Sequence, residues 1–141
     1  MKIIELRTFS PRYLQAIQSL TMELLNEPYE LSEAYLQEIV ESENSHLFLL
    51  LEEEVVMGML TVAIYKTPTG IRAWIEDVAV DKQARGRGYG RQLMLHAIDF
   101  AKAMSASTLM LTSRPARVAA NKLYQSLGFE QKETNVYHMR L

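Results

Sequence analysis

The stretch Asp77-Val78-Ala79-Val80-Asp81-Lys82-Gln83-Ala84-Arg85-Gly86-Arg87-Gly88-Tyr89-Gly90-Arg91 runs from an apolar strand, through a loop with three glycines at alternate positions, into an amphipathic helix. Glycine lets backbone N–H groups turn toward a ligand and approach it with no Cβ in the way. The helix beyond presents free N–H groups and the positive end of its dipole. Together they make an anion site suited to phosphate, with Lys82, Arg85, Arg87 and Arg91 adding charge around it. A P-loop would end in Gly-Lys-Ser/Thr, whereas Gly90 is followed by Arg91-Gln92. Nor do Gly86, Gly88 and Gly90 give the G-x-G-x-x-G spacing of a dinucleotide-binding turn.

Outward from this segment the periodicity changes repeatedly. Residues 2–8 alternate loosely and predict a first strand. Ser10-Pro11 then starts a helix, with Ser as N-cap and Pro at the first helical position. Asn26-Glu27-Pro28-Tyr29 interrupts it, and Ser32 caps a second helix carrying Tyr35, Leu36, Ile39 and Val40. Leu47–Glu52, Val55–Tyr65 and Ala73–Val80 predict three strands, the first two joined by the acidic turn Glu52-Glu53-Glu54. A helix is predicted over 90–104 and a short buried strand over Thr108–Thr112. A last helix opens at Pro115, is stopped by Gly128, and is followed by a strand over Val136–Leu141. The order β-α-α-β-β-β-α-β-α-β predicts a mixed sheet with helices on its faces.

The 141 residues are enough for one domain with a real core, and 48% hydrophobic against 23% charged is the balance of a soluble globular chain. With no cysteine, disulfides, thiolate metal sites and a cysteine nucleophile are excluded, which is compatible with a reducing, cytoplasmic address. Charge interrupts the N-terminus too early for a signal peptide, and no apolar run is long enough to span a bilayer. The net charge of −2 conceals an asymmetry. Residues 1–81 hold 5 basic and 14 acidic side chains, and residues 82–141 hold 10 and 3. Such a split suggests two faces with different clients.

Arg85-x-x-Gly88-x-Gly90 behind the Val78-Ala79-Val80 strand resembles the acetyl-CoA signature of the GNAT N-acetyltransferase superfamily. A second segment, Ala120-Asn121-Lys122-Leu123-Tyr124-Gln125-Ser126-Leu127-Gly128-Phe129, is similar to that family's downstream signature. By motif the resemblance covers about residues 73–130. It implies an α/β (α+β) fold with a single mixed, mostly antiparallel sheet of six or seven strands. About four helices would pack on its faces, its central strands would splay, and residues 1–141 would be one domain.

The resemblance further implies acetyl-CoA as co-substrate, held by Val78, Ala79, Val80, Arg85, Gly86, Arg87, Gly88, Tyr89, Gly90, Arg91, Asn121 and Tyr124. Backbone N–H groups of 85–90 would hold the pyrophosphate, and the main chain of 78–80 would pair with the pantetheine arm like an added strand. An N–H near Val78 would stabilise charge on the thioester oxygen. Tyr124 stands where the family places a tyrosine near the thioester sulfur, as general acid to the leaving thiolate. Many members carry an Asn at the position of Arg117; here Asn121 or Ser113 is the substitute.

The amine must lose a proton before attack, and Glu76 is the first candidate base, Asp77 the second. On an unbroken strand Glu76 shares a face with Trp74 and Val78 while Asp77 points the other way; a bulge would exchange their faces. The competing role for Glu76 is a strand carboxylate paired with a neighbour such as Arg72. Trp74 occupies the place of the catalytic glutamate of the histone-acetylating branch, which counts against a histone-type site.

His46, His96 and His138 have no metal-ligand spacing, so no metal is expected, and His96 is assigned to the surface. Tyr29, Tyr35 and Tyr137 are candidates to line an acceptor pocket. The basic residues lack interleaved aromatics, so nucleic acid is not an expected partner, and neither is a membrane. The expected activity is direct acetyl transfer to a primary amine in a ternary complex. The alternative is a non-catalytic CoA-binding sensor, which would need neither Glu76 nor Tyr124. A homodimer is one assembly the family offers, beside the monomer.

Overall fold

A computed structural model describes all 141 residues. Residues Met1–Leu111 form one compact unit and Thr112–Leu141 a second. The first contains β1 (Lys2–Glu5), α1 (Pro11–Leu25), α2 (Glu33–Glu41), β2 (Ser45–Glu52), β3 (Val55–Thr67), β4 (Gly70–Val80), α3 (Tyr89–Ala103) and β5 (Thr108–Met110). The second contains α4 (Val118–Ser126). No helix is long and apolar enough to cross a membrane.

The local signals place the helices well. Pro11 opens α1, and Asn26 closes it in a left-handed conformation. Ser32 caps α2, its side chain accepting from Tyr35 N at 3.1 Å. The Ser10 side chain makes no capping bond, so the start of α1 rests on proline's fixed φ. The helix expected from Pro115 begins only at Val118.

The sheet runs β1-β2-β3-β4-β5, antiparallel except for the parallel β4–β5 pair. It is mixed and mostly antiparallel, as expected, but it has five strands rather than six or seven. Val136–Leu141 is not a strand. Its alternation is real, yet Tyr137 and Met139 are 90% and 79% exposed and β5 ends the sheet. Alternation gives a strand preference, and a strand also needs a partner edge, which no local pattern encodes.

Leu47, Leu49, Leu51, Val56 and Met59 face α1 and α2, where Ile17, Leu20, Leu36 and Val40 complete a core. Leu93, Met94, Ala97 and Ala101 of α3 are buried against the opposite face. There Phe48 meets His96 (ring centroids 4.7 Å) and Phe100 (5.0 Å), so His96, expected at the surface, is half-buried with its ring packed on Phe48. His46 is also buried on this side, with Nδ1 2.5 Å from Glu5 Oε1.

Two irregularities shape the end of β4. Thr61 pairs with Glu76 and Met59 with Ala79, so Leu60 on β3 stands opposite two residues, Asp77 and Val78. Asp77 absorbs the extra residue with φ 54°, a left-handed conformation that aspartate tolerates better than most side chains. The strand is therefore broken, and Glu76 shares its face with Trp74 and Ala79 rather than with Val78. The second irregularity is that β5 pairs only with Arg72, Ala73 and Trp74. Because β5 itself ends at Met110, opposite Trp74, the edge of β4 beyond Trp74 has no strand partner.

Candidate active site

From Val80 the chain makes a short 3-10 turn, Lys82–Ala84, capped by the Asp81 side chain, which accepts from Gln83 N at 2.9 Å. Ala84 is buried and anchors the turn. Gly86 (φ 81°) and Gly88 (φ 79°) then take left-handed conformations, and Gly88 is the N-cap of α3. A Cβ built on either would meet nothing within 4 Å. The glycines are thus required by φ, and the space beside them is open, as a cradle for a ligand would be. The first turn of α3 holds no acidic residue and has no side-chain cap, leaving the positive end of its dipole facing this loop.

The loop's cations are not waiting free. Arg85 Nε donates to Val80 O at 3.4 Å, and its guanidinium lies 3.8 Å from Glu23. Arg87 Nη1 donates to Glu52 Oε2 at 3.2 Å, and the Tyr89 hydroxyl donates to the same oxygen at 2.5 Å. Glu54 pairs with Lys2 at 2.6 Å and with Arg12 at 3.7 Å. The acidic Glu52-Glu53-Glu54 turn is therefore engaged with basic residues from both halves of the chain. This corrects the expected segregation of charge by client, because folding brings acidic and basic segments together. Glu52 lies 35 and 37 positions from Arg87 and Tyr89, so no local pattern in the sequence points to these contacts.

Glu76 and Asp77 are both exposed at the bulge. Partial burial pushes the Glu76 carboxyl above its ordinary value, and the neighbouring Asp77 charge adds to the rise. Arg72 is not its partner: Nη2 donates to Thr69 Oγ1 at 2.7 Å. Trp74 Nε1 donates to Tyr65 Oη at 2.9 Å. An open groove of about 560 Å³ lies between the end of α1 and the turn after β4, lined by Ser19, Met22, Glu23, Asn26, Glu27, Pro28 and Lys82. Tyr29, Tyr35 and Tyr137 do not line it.

In the second unit Tyr124 is 7% exposed, with its ring centroid 6.2 Å from Phe129. Burial pushes its phenol upward, partly offset by the Arg117 charge. Asn121 Nδ2 donates to the carbonyls of Arg114 (2.9 Å) and Arg117 (2.8 Å), tying down the entrance of α4. Its amide hydrogens are thus committed to the backbone. Ser113 Oγ is buried with no hydrogen-bond partner.

Comparison with known proteins gives this arrangement a context. Mycothiol acetyltransferase of Renibacterium salmoninarum is 34% identical over 95 residues, 64% of this chain and 28% of that protein. The chain spans less than half the length of the first curated relatives it matches. A solved structure of a transcriptional regulator from Bacillus halodurans C-125 superposes with TM-score 0.84 at 29% identity, covering 99% of both chains. AAC(6')-Iy in complex with the bisubstrate analogue CoA-S-monomethyl-acetylneamine gives TM-score 0.78 at 19% identity, a likeness of fold, over 99% of this chain and 97% of that one. The acetyltransferase (GNAT) family profile matches residues 13–129, the span that includes the bulged strand, the glycine loop and Tyr124, and the chain belongs to that family.

Proposed function

We propose that residues 1–141 act as one acetyltransferase domain that moves an acetyl group from acetyl-CoA to a primary amine by direct attack in a ternary complex. The observation that carries this reading is the continuity of three features. An edge of β4 left unpaired beyond Trp74 runs into glycines with open space beside them, which lead to the N-terminus of α3, where no side chain caps the helix. An extended arm with a phosphate group at its end fits that sequence of features. The fold neighbour that holds CoA-S-monomethyl-acetylneamine supports the donor class and an amine acceptor.

Bound acetyl-CoA supplies an activated acetyl thioester. The residues that hold it are Val78, Ala79 and Val80 along the strand edge, and Arg85, Gly86, Arg87, Gly88, Tyr89, Gly90 and Arg91 at the phosphates. Ser113 Oγ, a buried hydroxyl in want of a partner, is suited to the pantetheine arm; Asn121 offers only its carbonyl oxygen. The Glu76 carboxylate takes the proton from the acceptor ammonium, its raised pKa bringing it closer to the task. A backbone N–H near Val78 stabilises the developing oxyanion. The Tyr124 Oη, kept protonated by burial, gives its proton to the departing sulfur.

The test is a thiol-release assay with acetyl-CoA across polyamines, amino sugars, aminoglycosides, amino acids and peptide N-termini, alongside calorimetry with CoA. CoA release with at least one amine supports the reading. Tight CoA binding without turnover on the whole panel replaces it with a CoA sensor.

A further inference from the structure

We infer that Glu52, the last residue of β2, is a positioning residue for the glycine loop: one carboxylate oxygen grips Arg87 and Tyr89 on either side of Gly88 and so sets the course of the chain into α3. The distances are 3.2 Å from Arg87 Nη1 and 2.5 Å from the Tyr89 hydroxyl. Between those two anchors lies a glycine at φ 79°, preceded by another at φ 81°. Glycines at alternate positions leave a loop with much conformational freedom to lose, and a clamp that spans one of them removes part of it beforehand.

Glu52 is itself well held. It pairs with Val55, and the two residues of the turn, Glu53 (φ 49°) and Glu54 (φ 66°), both sit in the left-handed region where glycine or asparagine is usual. Ion pairs from Glu54 to Lys2 and Arg12 tie the far side of this turn down. A sparsely populated backbone that is over-determined by its surroundings marks a place where geometry matters. On the other side of the clamp, the carboxylate raises the Tyr89 phenol above its ordinary value, so the hydroxyl remains a donor across the whole working range. A negative charge beside a phosphate site opposes an anion by Coulomb's law, so what Glu52 contributes to phosphate binding is order.

The consequence for affinity rests on the acetyl-CoA reading; the ordering of the loop does not. Three variants decide it: Glu52→Ala, Glu52→Gln, which keeps an acceptor oxygen, and Glu52→Ala combined with Tyr89→Phe. Amide hydrogen exchange over 86–91 should be faster in Glu52→Ala and near wild type in Glu52→Gln. Calorimetry with CoA should show Glu52→Ala weaker by about fivefold, roughly one net hydrogen bond. The KM for acetyl-CoA should rise in step while kcat at saturation holds. Adding Tyr89→Phe to Glu52→Ala should leave amide exchange over 86–91 little faster than in Glu52→Ala alone, since both break the same contact. Unchanged exchange in Glu52→Ala overturns the inference, and so does equal or tighter CoA binding by that variant. A wild-type protein that does not bind CoA overturns the acetyl-CoA reading instead, and the exchange experiment still decides the role of Glu52.

Discussion

Gly58 on β3 presses against Ala79 on β4: a Cβ added to the glycine would stand 3.0 Å from the Ala79 carbonyl oxygen and 3.0 Å from Leu93 Cδ1. The first of those atoms is backbone, so it has nowhere cheap to go. Ala79 belongs to the strand edge assigned to the cofactor arm, and Leu93 is fully buried in α3. Gly58→Ala should therefore destabilise the protein by about 1–3 kcal/mol, the usual range for overpacking. It should also weaken CoA binding through the displaced end of β4. Denaturant unfolding followed by calorimetry checks both, and an unchanged midpoint would mean that the strands part without cost.

The bulge at Asp77 places two carboxylates side by side, and the charge of one acts on the other. The Glu76 pKa is raised, chiefly by burial, so the carboxylate needed as base accumulates only as pH climbs past that raised value. The acid limb of kcat/KM should accordingly lie above the ordinary glutamate value of 4.5. Asp77→Asn removes the like charge and should move the limb to lower pH. Glu76→Gln should abolish the limb and cost about 100-fold or more in rate, within the range for general bases. Stability follows the opposite sign. A raised carboxyl pKa favours the folded state below 4.5, and that contribution is lost as pH rises through the folded value. Glu76→Gln should remove this slope from the stability profile, as thermal melts between acid and neutral pH would show.

The contrast between Gly88 and Glu52 explains what could be read in advance. A left-handed glycine before an amphipathic helix is a local event, written in consecutive residues, and the loop, the start of α3 and the helices around it followed from such signals. Glu52 reaches the same loop only because β2 and β3 fold back on themselves, and nothing in its neighbours announces partners 35 and 37 positions away. The Asp77 bulge is intermediate. Ile75-Glu76-Asp77-Val78 alternates no worse than an unbroken strand, and the extra residue emerges only when the register against β3 is known. Val136–Leu141 fails in reverse, with a clear strand pattern and no edge paired to it.

Asn121 is expected to act through α4. Its two amide bonds to the carbonyls of Arg114 and Arg117 fasten the turn that leads into the helix carrying Tyr124. Asn121→Ala should lower stability by about 1–2 kcal/mol, typical for loss of such side-chain-to-backbone bonds. Hydrogen exchange at 117–122 should accelerate. If CoA affinity falls sharply while the unfolding midpoint and exchange stay put, the side chain is a direct cofactor ligand and its carbonyl oxygen is the contact.

Tyr124→Phe separates acid catalysis from packing, because phenylalanine keeps the ring that lies near Phe129 and removes only the hydroxyl. Burial raises the phenol above its ordinary 10.0, so it is a proton donor at every pH where the protein would be assayed. A CoA thiolate, with a thiol pKa near ~8.5, is a poor leaving group without that proton when the amine is weakly basic. The variant should lose about 100-fold in kcat and keep its affinity for acetyl-CoA. The deficit should shrink for an acyl donor whose thiol leaves more readily, since such a group needs less help. A uniform loss across donors would point to a steric role for the hydroxyl, and unchanged turnover would remove Tyr124 from the chemistry, leaving the thiolate to depart unassisted.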